Sequence, residues 1–443
     1  MNKRPAKKVD VLIIGAGISG LTTAYYLDKK GYDIVLLESQ NFVGGNIKSS
    51  SKEGFICENG PNTILNNNKY FNDLISHLGI SKKIIYPNKN LKKRFLINKG
   101  KLIGIPLTFF GFIKSGLISL KGKLRLFFEI FVKKHDTNTS VYDFINSRFG
   151  KEFQEIFIEP FIAGIYAGNT KNMSVKHTMK RLWDAEQKDG SIILNFIKNF
   201  NNKNISKSLT FEKGISSLVN EIHKNLDKIV VLNSKVTNIN KSNGRYFVDV
   251  NNNKTYSCEK IVSTIPSHNL SKIIYDSNFS SILKKINYCP LLVIHIGLER
   301  TKINVNIDGF GVLTKPADGK SFLGILFNSR IFPHVAPPGK ELLTVMVGGD
   351  RQKDIFNDSK LSIIKKNISE IRELLSYSAD IKIINYYYWR NAIPQYSLEH
   401  DLFVTGVKNF EKNNKNFYLL GNFIKDVSVS DCIKNAMKLS LKI

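Results

Sequence analysis

Apolar residues along the chain change period repeatedly, and each change predicts an element. Val9 to Ile14 is an apolar run with β-branched residues, interrupted only by Asp10, the pattern of a strand covered on both faces within a parallel sheet. Gly15, Gly17 and Gly20 break the run, and Leu21 to Leu27 resumes with helical character. Asp33 to Leu37 predicts a second strand. Further on, Ile229 to Leu232, Lys235 to Asn240, Tyr246 to Val250 and Lys260 to Thr264 predict strands, with hairpin turns at Asn243-Gly244 and Asn251-Asn252-Asn253. Cys289 to Gly297, Gly309 to Leu313, Phe322 to Asn328 and Leu342 to Val347 form another series, which predicts an antiparallel sheet as the floor of a second domain. Tyr418-Leu419-Leu420-Gly421 reads as a last strand, with Ser428, Ser430 and Asp431 where a closing helix begins.

The segment from Leu102 to Phe131 matches neither period cleanly. Its longest charge-free piece, Leu102 to Ile113, contains Pro106 and is too short to span a bilayer, and Lys114, Lys121, Lys123 and Arg125 interrupt the remainder of the segment. Two readings stay open: a helix lying among the headgroups of an anionic leaflet, or an amphipathic core helix.

The first seventy or so residues carry the clearest chemistry. In Gly15-Ala16-Gly17-Ile18-Ser19-Gly20 the glycines permit a tight turn, approach of backbone N–H groups to a pyrophosphate, and close packing of the next helix. Glu38 ends the second strand about twenty residues later, where a carboxylate accepts both ribose hydroxyls of an adenosine. Strand, glycines, helix, strand and acid in this order predict dinucleotide binding. Two more glycine turns, Val43-Gly44-Gly45-Asn46-Ile47 and Glu58-Asn59-Gly60-Pro61-Asn62, come soon after the acid and favour FAD over NAD, by resemblance to flavin amine oxidases.

Composition removes several classes. The formal net charge of +28 favours anionic partners, but it is spread as single lysines among asparagines with no recognised nucleic-acid-binding motif. Nucleic-acid binding is not expected. Cys57, Cys258, Cys289 and Cys432 lie far apart, so neither a disulfide framework nor a zinc site is indicated, and a reducing cytoplasmic setting fits. The eight histidines show no helical ligand spacing, so no metal is expected. His295, in an apolar run, reads as a satisfied core histidine rather than a catalytic base. With a strand beginning by about Val9, no organelle transit peptide is expected ahead of it.

Gly60-Pro61-Asn62, Lys93-Arg94-Phe95, Glu159 to Gly168, Asp308-Gly309-Phe310-Gly311, Ile393-Pro394-Gln395-Tyr396 and Val427 to Ile433 recur in a known order and spacing. On these residues the chain resembles the oxygen-dependent protoporphyrinogen oxidase family, within the flavin amine oxidase superfamily, along nearly its whole length. The resemblance implies an α/β fold with a discontinuous Rossmann-like FAD domain (1–85, 211–285 and 386–443). It also implies a substrate domain with a mixed or antiparallel sheet (86–104 and 286–385) and a helical membrane-associating insertion (105–210).

The same resemblance implies roles. Gly15, Ala16, Gly17, Ile18, Ser19, Gly20, Glu38, Gly44, Gly45, Asn46, Gly60, Pro61, Asn62, Thr63, Val236, Asn422, Val427, Ser428 and Val429 match FAD contacts. Arg94 matches the residue that pairs with a substrate propionate, and Gly164, Leu291, Ile307 and Phe327 match the positions that sandwich the tetrapyrrole. The chain departs from the pattern at Phe42, where an Arg is common, and at Asp426, where a Gly is.

The implied activity is oxidation of protoporphyrinogen IX, each step sending a hydride from a methylene bridge to the flavin and releasing a pyrrole proton. Dioxygen is the implied acceptor, giving hydrogen peroxide, and no catalytic acid or base is assigned. Coproporphyrinogen III oxidation is the near alternative. Another amine-oxidase-like flavoenzyme, or a flavin-bearing assembly protein without turnover, stands further off. The implied partners are a porphyrinogen, dioxygen and, peripherally, lipid on the inner face of the cytoplasmic membrane; a homodimer stays open.

Overall fold

The computed structural model describes residues 6–91, 93–106, 116–199, 207–251 and 253–443. Lys7–Ile14 is flanked by two parallel neighbours, Ile34–Leu37 and Thr255–Ser263, in a seven-stranded sheet. Val230–Val231 extends the sheet beyond Ile34–Leu37, and Phe417–Leu419 adds in parallel to Thr255–Ser263. The apolar run of the first strand divides by parity, as a strand's period of two requires. Val11 and Ile13 pack with Leu21 and Ala24 of helix Ile18–Asp28 and Ala436 of helix Val429–Lys442. Leu12 and Ile14 pack on the other face with Phe279, Phe403 and Phe410, so both faces are covered.

The expected excursion forms an antiparallel meander of Val236–Ser242, Arg245–Val250 and Thr255–Ser263. Asn243 and Gly244 both have positive φ, as the two-residue hairpin turn demands. Of the other expected turn, residue 252 lies outside the described residues. The third strand starts at Thr255 rather than Lys260, because pairing with Arg245–Val250 extends it beyond its apolar core.

The second sheet has seven strands in the order Lys382–Pro394, Tyr288–Glu299, Lys340–Gly348, Gly324–Leu326, Gly311–Leu313, Lys93–Asn98 and Lys101–Pro106. It is mixed: Gly311–Leu313 runs parallel to Lys93–Asn98, and every other pairing is antiparallel. Lys382–Pro394 runs across the boundary expected at 385/386 and stays paired with Tyr288–Glu299 as far as Pro394. One face of this sheet is closed by Ile363, Ile364, Ile371 and Leu374 of helix Lys360–Leu374. The other face receives helix Glu159–Tyr166, with Ala163 packed among Leu291, Val293 and Leu323.

The apolar segment read as a helix splits. Its start is an edge strand, Lys101–Pro106, because Lys93–Asn98 is available to pair with it; residues 107–115 lie outside the described residues; Leu120–Phe127 is a helix. The helical region around it is tied by buried charge. Arg148 is fully buried and bonds Glu186 at 2.6 Å and Glu129. Glu129 in turn accepts the first N–H groups of helix Ile192–Lys198, from Ile192 at 3.0 Å and Ile193 at 3.2 Å. Leu120, Phe127, Phe128, Phe131, Phe196 and Ile197 stay largely exposed around this buried anchor. Among the described residues no helix is long and apolar enough to cross a membrane.

Candidate functional site

Three glycine turns build a groove by backbone contact alone. A Cβ on Gly20 would stand 1.9 Å from the Gly15 carbonyl oxygen, and one on Gly60 would stand 1.8 Å from that of Asn46. No side chain fits either gap. The Gly44 N–H donates to the Ala16 carbonyl at 2.8 Å, which draws the second turn onto the first. Ile18 and Ser19 are buried at the head of helix Ile18–Asp28. At Gly17 the added Cβ would meet nothing within 4 Å, so the backbone there borders open space.

Glu38 is buried at the end of its strand and takes hydrogen bonds from the Ala16 N–H at 2.8 Å, the Gln40 N–H at 2.9 Å and the Ser39 hydroxyl at 3.1 Å. A carboxylate accepts about four, so capacity remains for a ribose hydroxyl. An open backbone edge at Gly17 beside an anchored acid fits the adenosine and pyrophosphate of FAD. Val236 is buried at the start of its strand, two residues beyond Ser234, whose N–H donates to the Glu38 carbonyl at 2.7 Å.

The third turn meets the second sheet. The Asn46 side-chain amide points its N–H toward the Ala392 carbonyl at 3.5 Å, and the Asn328 amide donates to the Asn62 side-chain oxygen at 3.0 Å. Pro61, Asn62 and Thr63 are half-buried. Glu58, just before the turn, is buried with its carboxylate accepting from the Ile215 N–H at 2.8 Å and the Ser49 hydroxyl at 2.7 Å; burial pushes its pKa up to about 7. At the closing motif Asn422, Val427, Ser428 and Val429 are half-buried, and the Asn422 carbonyl accepts the Tyr396 hydroxyl. Ser428 caps helix Val429–Lys442 by accepting from the Asp431 N–H at 3.1 Å. Asp426 has φ of 57°, so this position does require the left-handed conformation that Gly and Asp tolerate. Phe42 is exposed, and Lys48 lies with its ammonium 4.6 Å from the Phe42 ring centre and 4.7 Å from that of Tyr387. Phe42, at the sequence position of the missing Arg, thus forms with Tyr387 an aromatic pair around the Lys48 cation.

A cavity of about 290 Å³ opens on the helix-covered face of the second sheet, lined by Arg94, Leu96, Ile105, Ile158, Pro160, Phe161, Met179 and Leu313, with Phe95, Ile156 and Phe157. Strand register sets the sheet face from which Leu96 and Leu313 line it. Leu96 pairs with Leu313, Leu313 with Gly324, Gly324 with Met346 and Met346 with Val293, so these five share one face. Gly164 abuts this face, since a Cβ there would stand 2.7 Å from the Leu313 side chain. Arg94 is the one charged residue among the described lining residues. Its guanidinium carbon lies 6.0 Å from the Phe310 ring centre and has no carboxylate partner among the described residues. Solvent reaches the side chain, yet the crowding around it desolvates the cation and lowers its pKa.

Of the expected substrate contacts, the structure brings Arg94, Gly164 and Leu291 to the cavity side of the sheet. It does not bring Ile307 and Phe327 there. Both are buried in the core behind the sheet, where the Phe327 ring centre lies 6.1 Å from that of Phe95. Phe327 is an odd number of steps from Gly324, and the alternation of a strand turns it away. Leu313, not expected from the sequence, lines the cavity instead, and Met346 shares its face of the sheet; only the register between strands identifies them. Among the described residues no cluster of potential metal ligands occurs.

The family described as flavin-containing amine oxidoreductase matches residues 18–438 of the chain. The chain is 28% identical to the mitochondrial protoporphyrinogen oxidase of Nicotiana tabacum, over 96% of this chain and 92% of that one. It is 26% identical to the coproporphyrinogen III oxidase of Bacillus subtilis (strain 168), over 96% of each. Among solved structures, "Putative protoporphyrinogen oxidase from Exiguobacterium sp. 255-15" superposes with a TM-score of 0.85 at 20% identity, covering 99% of this chain and 98% of that one. Wild-type putrescine oxidase bound to putrescine superposes with a TM-score of 0.74 at 15% identity and 99% coverage of both.

Proposed function

Because the chain belongs to the flavin-containing amine oxidoreductase family, we propose that this FAD enzyme oxidises protoporphyrinogen IX to protoporphyrin IX in porphyrin synthesis. Bound FAD supplies the acceptor for hydride and returns the electrons to dioxygen as hydrogen peroxide. The protein's own part is placement. Arg94 takes a propionate in a bidentate pair, Gly164 and Leu313 narrow the slot to a flat ring, and the apolar wall excludes water from the bridge carbon. The relatives named for porphyrinogen oxidation support this reading.

The observation that carries it is an apolar cavity whose described lining holds a single guanidinium with no carboxylate beside it. Protoporphyrinogen presents two propionates along one edge and vinyl groups elsewhere, which suits a wall with so little charge. Coproporphyrinogen III carries four propionates, and each carboxylate buried without a cation costs several kcal/mol. The relative from Bacillus subtilis favours it as the second reading. Anaerobic titration with each porphyrinogen, monitored by flavin bleaching, separates them: faster bleaching by the four-propionate substrate overturns the first, and no bleaching by either overturns both.

The exposed apolar residues of Leu120–Phe127, Phe128–Phe131 and Ile192–Lys198, flanked by Lys121, Lys123, Arg125 and Lys198, support peripheral contact with anionic lipid from the cytoplasmic side. Sedimentation with anionic vesicles that is weakened by Phe131→Ser is the expected result, and equal sedimentation of both proteins rejects it.

A further inference from the structure

The residues just before Gly60 are held by their own hairpin, where the Asn59 N–H donates to the Lys48 carbonyl at 2.8 Å, and also from the second sheet. The Trp389 indole N–H donates to the Asn59 carbonyl at 2.6 Å, and the Asn385 amide donates to the Asn59 side-chain oxygen at 3.0 Å. A ring nitrogen of His295 lies 3.1 Å from the Glu58 carbonyl and, facing a carbonyl, must be the donor. Asn59 and His295 are both buried. The three donors alternate along one ladder: His295 pairs with Asn385, and Leu291 pairs with Trp389. Leu291 and Val293, on the same strand as His295, face the substrate cavity's side of the sheet. One strand pair thus packs against helix Glu159–Tyr166 at one place and grips the third glycine turn at another.

We infer that Trp389, Asn385 and His295 are positioning residues for the flavin, holding the Glu58–Asn59 backbone so that the Gly60–Thr63 turn meets the cofactor in one geometry. The inference rests on that turn bordering the flavin groove, which Gly60 enters by its close approach to Asn46. Two consecutive carbonyls and one side chain are fixed by donors from another sheet, more than packing of an ordinary surface turn needs. Burial keeps the His295 pKa down at about 4, so the imidazole is neutral at physiological pH and offers one N–H, which goes to Glu58.

The test compares holoproteins carrying Trp389→Phe and Asn385→Ala with the wild type and with Tyr388→Phe, whose ring instead packs against Phe356 in the core behind the sheet. Read-outs are the FAD dissociation constant, the flavin absorption spectrum and the midpoint potential from anaerobic reductive titration. Trp389→Phe should weaken FAD binding about tenfold, because the Asn59 carbonyl is left buried without a donor, and should shift the spectrum and the potential. Asn385→Ala should do the same to a smaller degree, with Tyr388→Phe matching wild type. If yellow Trp389→Phe and Asn385→Ala proteins match wild type in all three read-outs, the inference is overturned. A wild type that stays colourless after reconstitution overturns instead the flavin reading beneath it.

Discussion

The glycine-turn groove and the apolar cavity beside Arg94 are built by opposite means. The groove is made of backbone: Gly20 against Gly15, Gly60 against Asn46, and an acid held by the Ala16 N–H. The cavity is lined by side chains from three strands, Lys93–Asn98, Lys101–Pro106 and Gly311–Leu313, and from the helical segment 156–161 with Met179, brought together from distant parts of the chain. Backbone construction tolerates almost no substitution at its contacts but can be written in a short stretch of chain. Side-chain construction tolerates repacking and is written nowhere in particular. The second sheet reaches the groove where Trp389, Asn385 and His295 grip the Glu58–Asn59 backbone.

The most damaging change should fall on the groove. Gly20→Ala forces an atom into the Gly15 carbonyl, and with no flexible side chain to yield, FAD affinity should drop about 100-fold; flavin content after purification checks it. Arg94→Met comes next and should act on the cavity alone. It should lower kcat/KM for protoporphyrinogen by about 30-fold through loss of a charge-assisted pair, with flavin content unchanged. A flavin loss in this variant would break the division between the two regions.

A paired comparison sharpens the division within the sheet. Leu313→Ala should raise KM about threefold to tenfold with little change in Tm, because the side chain lines the cavity. Phe327→Leu should leave KM alone and lower Tm by a few degrees, because it is core behind the sheet. The reverse pattern would place Phe327 on the cavity face and overturn the division.

The smallest effect expected is on pH dependence at the junction. Glu58 is raised from 4.5 to about 7 in the fold, so its contribution to stability is fully present below pH 4.5 and is lost as pH rises to about 7. His295 is lowered from 6.5 to about 4, so its contribution is present above pH 6.5 and is lost as pH falls toward 4. Glu58→Gln should therefore flatten the decline of Tm between pH 4.5 and 7 while leaving the acid-side loss in place. Melting curves across pH 4 to 8 would show it, and an unchanged profile would refute the titration of Glu58.

Particular residues show how far the sequence alone reaches. Glu38 is legible because strand, turn and acid are consecutive and their spacing is set by one turn of chain. Asp426 is legible as a departure, and its φ of 57° gives the reason that Gly or Asp is needed there. Leu102 to Pro106 reads as the start of a helix because an apolar run does not reveal its partner; Lys93–Asn98 makes it a strand. The same blindness leaves unread that Ile307 and Phe327 lie in the core behind the sheet while Leu313 lines the cavity. His295 reads as a satisfied core residue, which it is in part, but the Glu58 carbonyl that takes its hydrogen bond lies 237 residues away in sequence.

By itself the sequence determined the dinucleotide-binding unit, the order of the elements and the flavin family, because these depend on backbone conformation over a few consecutive residues. The tertiary structure alone decided which side chains face the cavity, that Arg94 has no described carboxylate beside it, and which sheet holds the third glycine turn. The physical reason is that a strand's two faces differ by a single step. A contact between strands depends on a register set by the whole sheet, while a turn's torsion angles are set where the glycine stands.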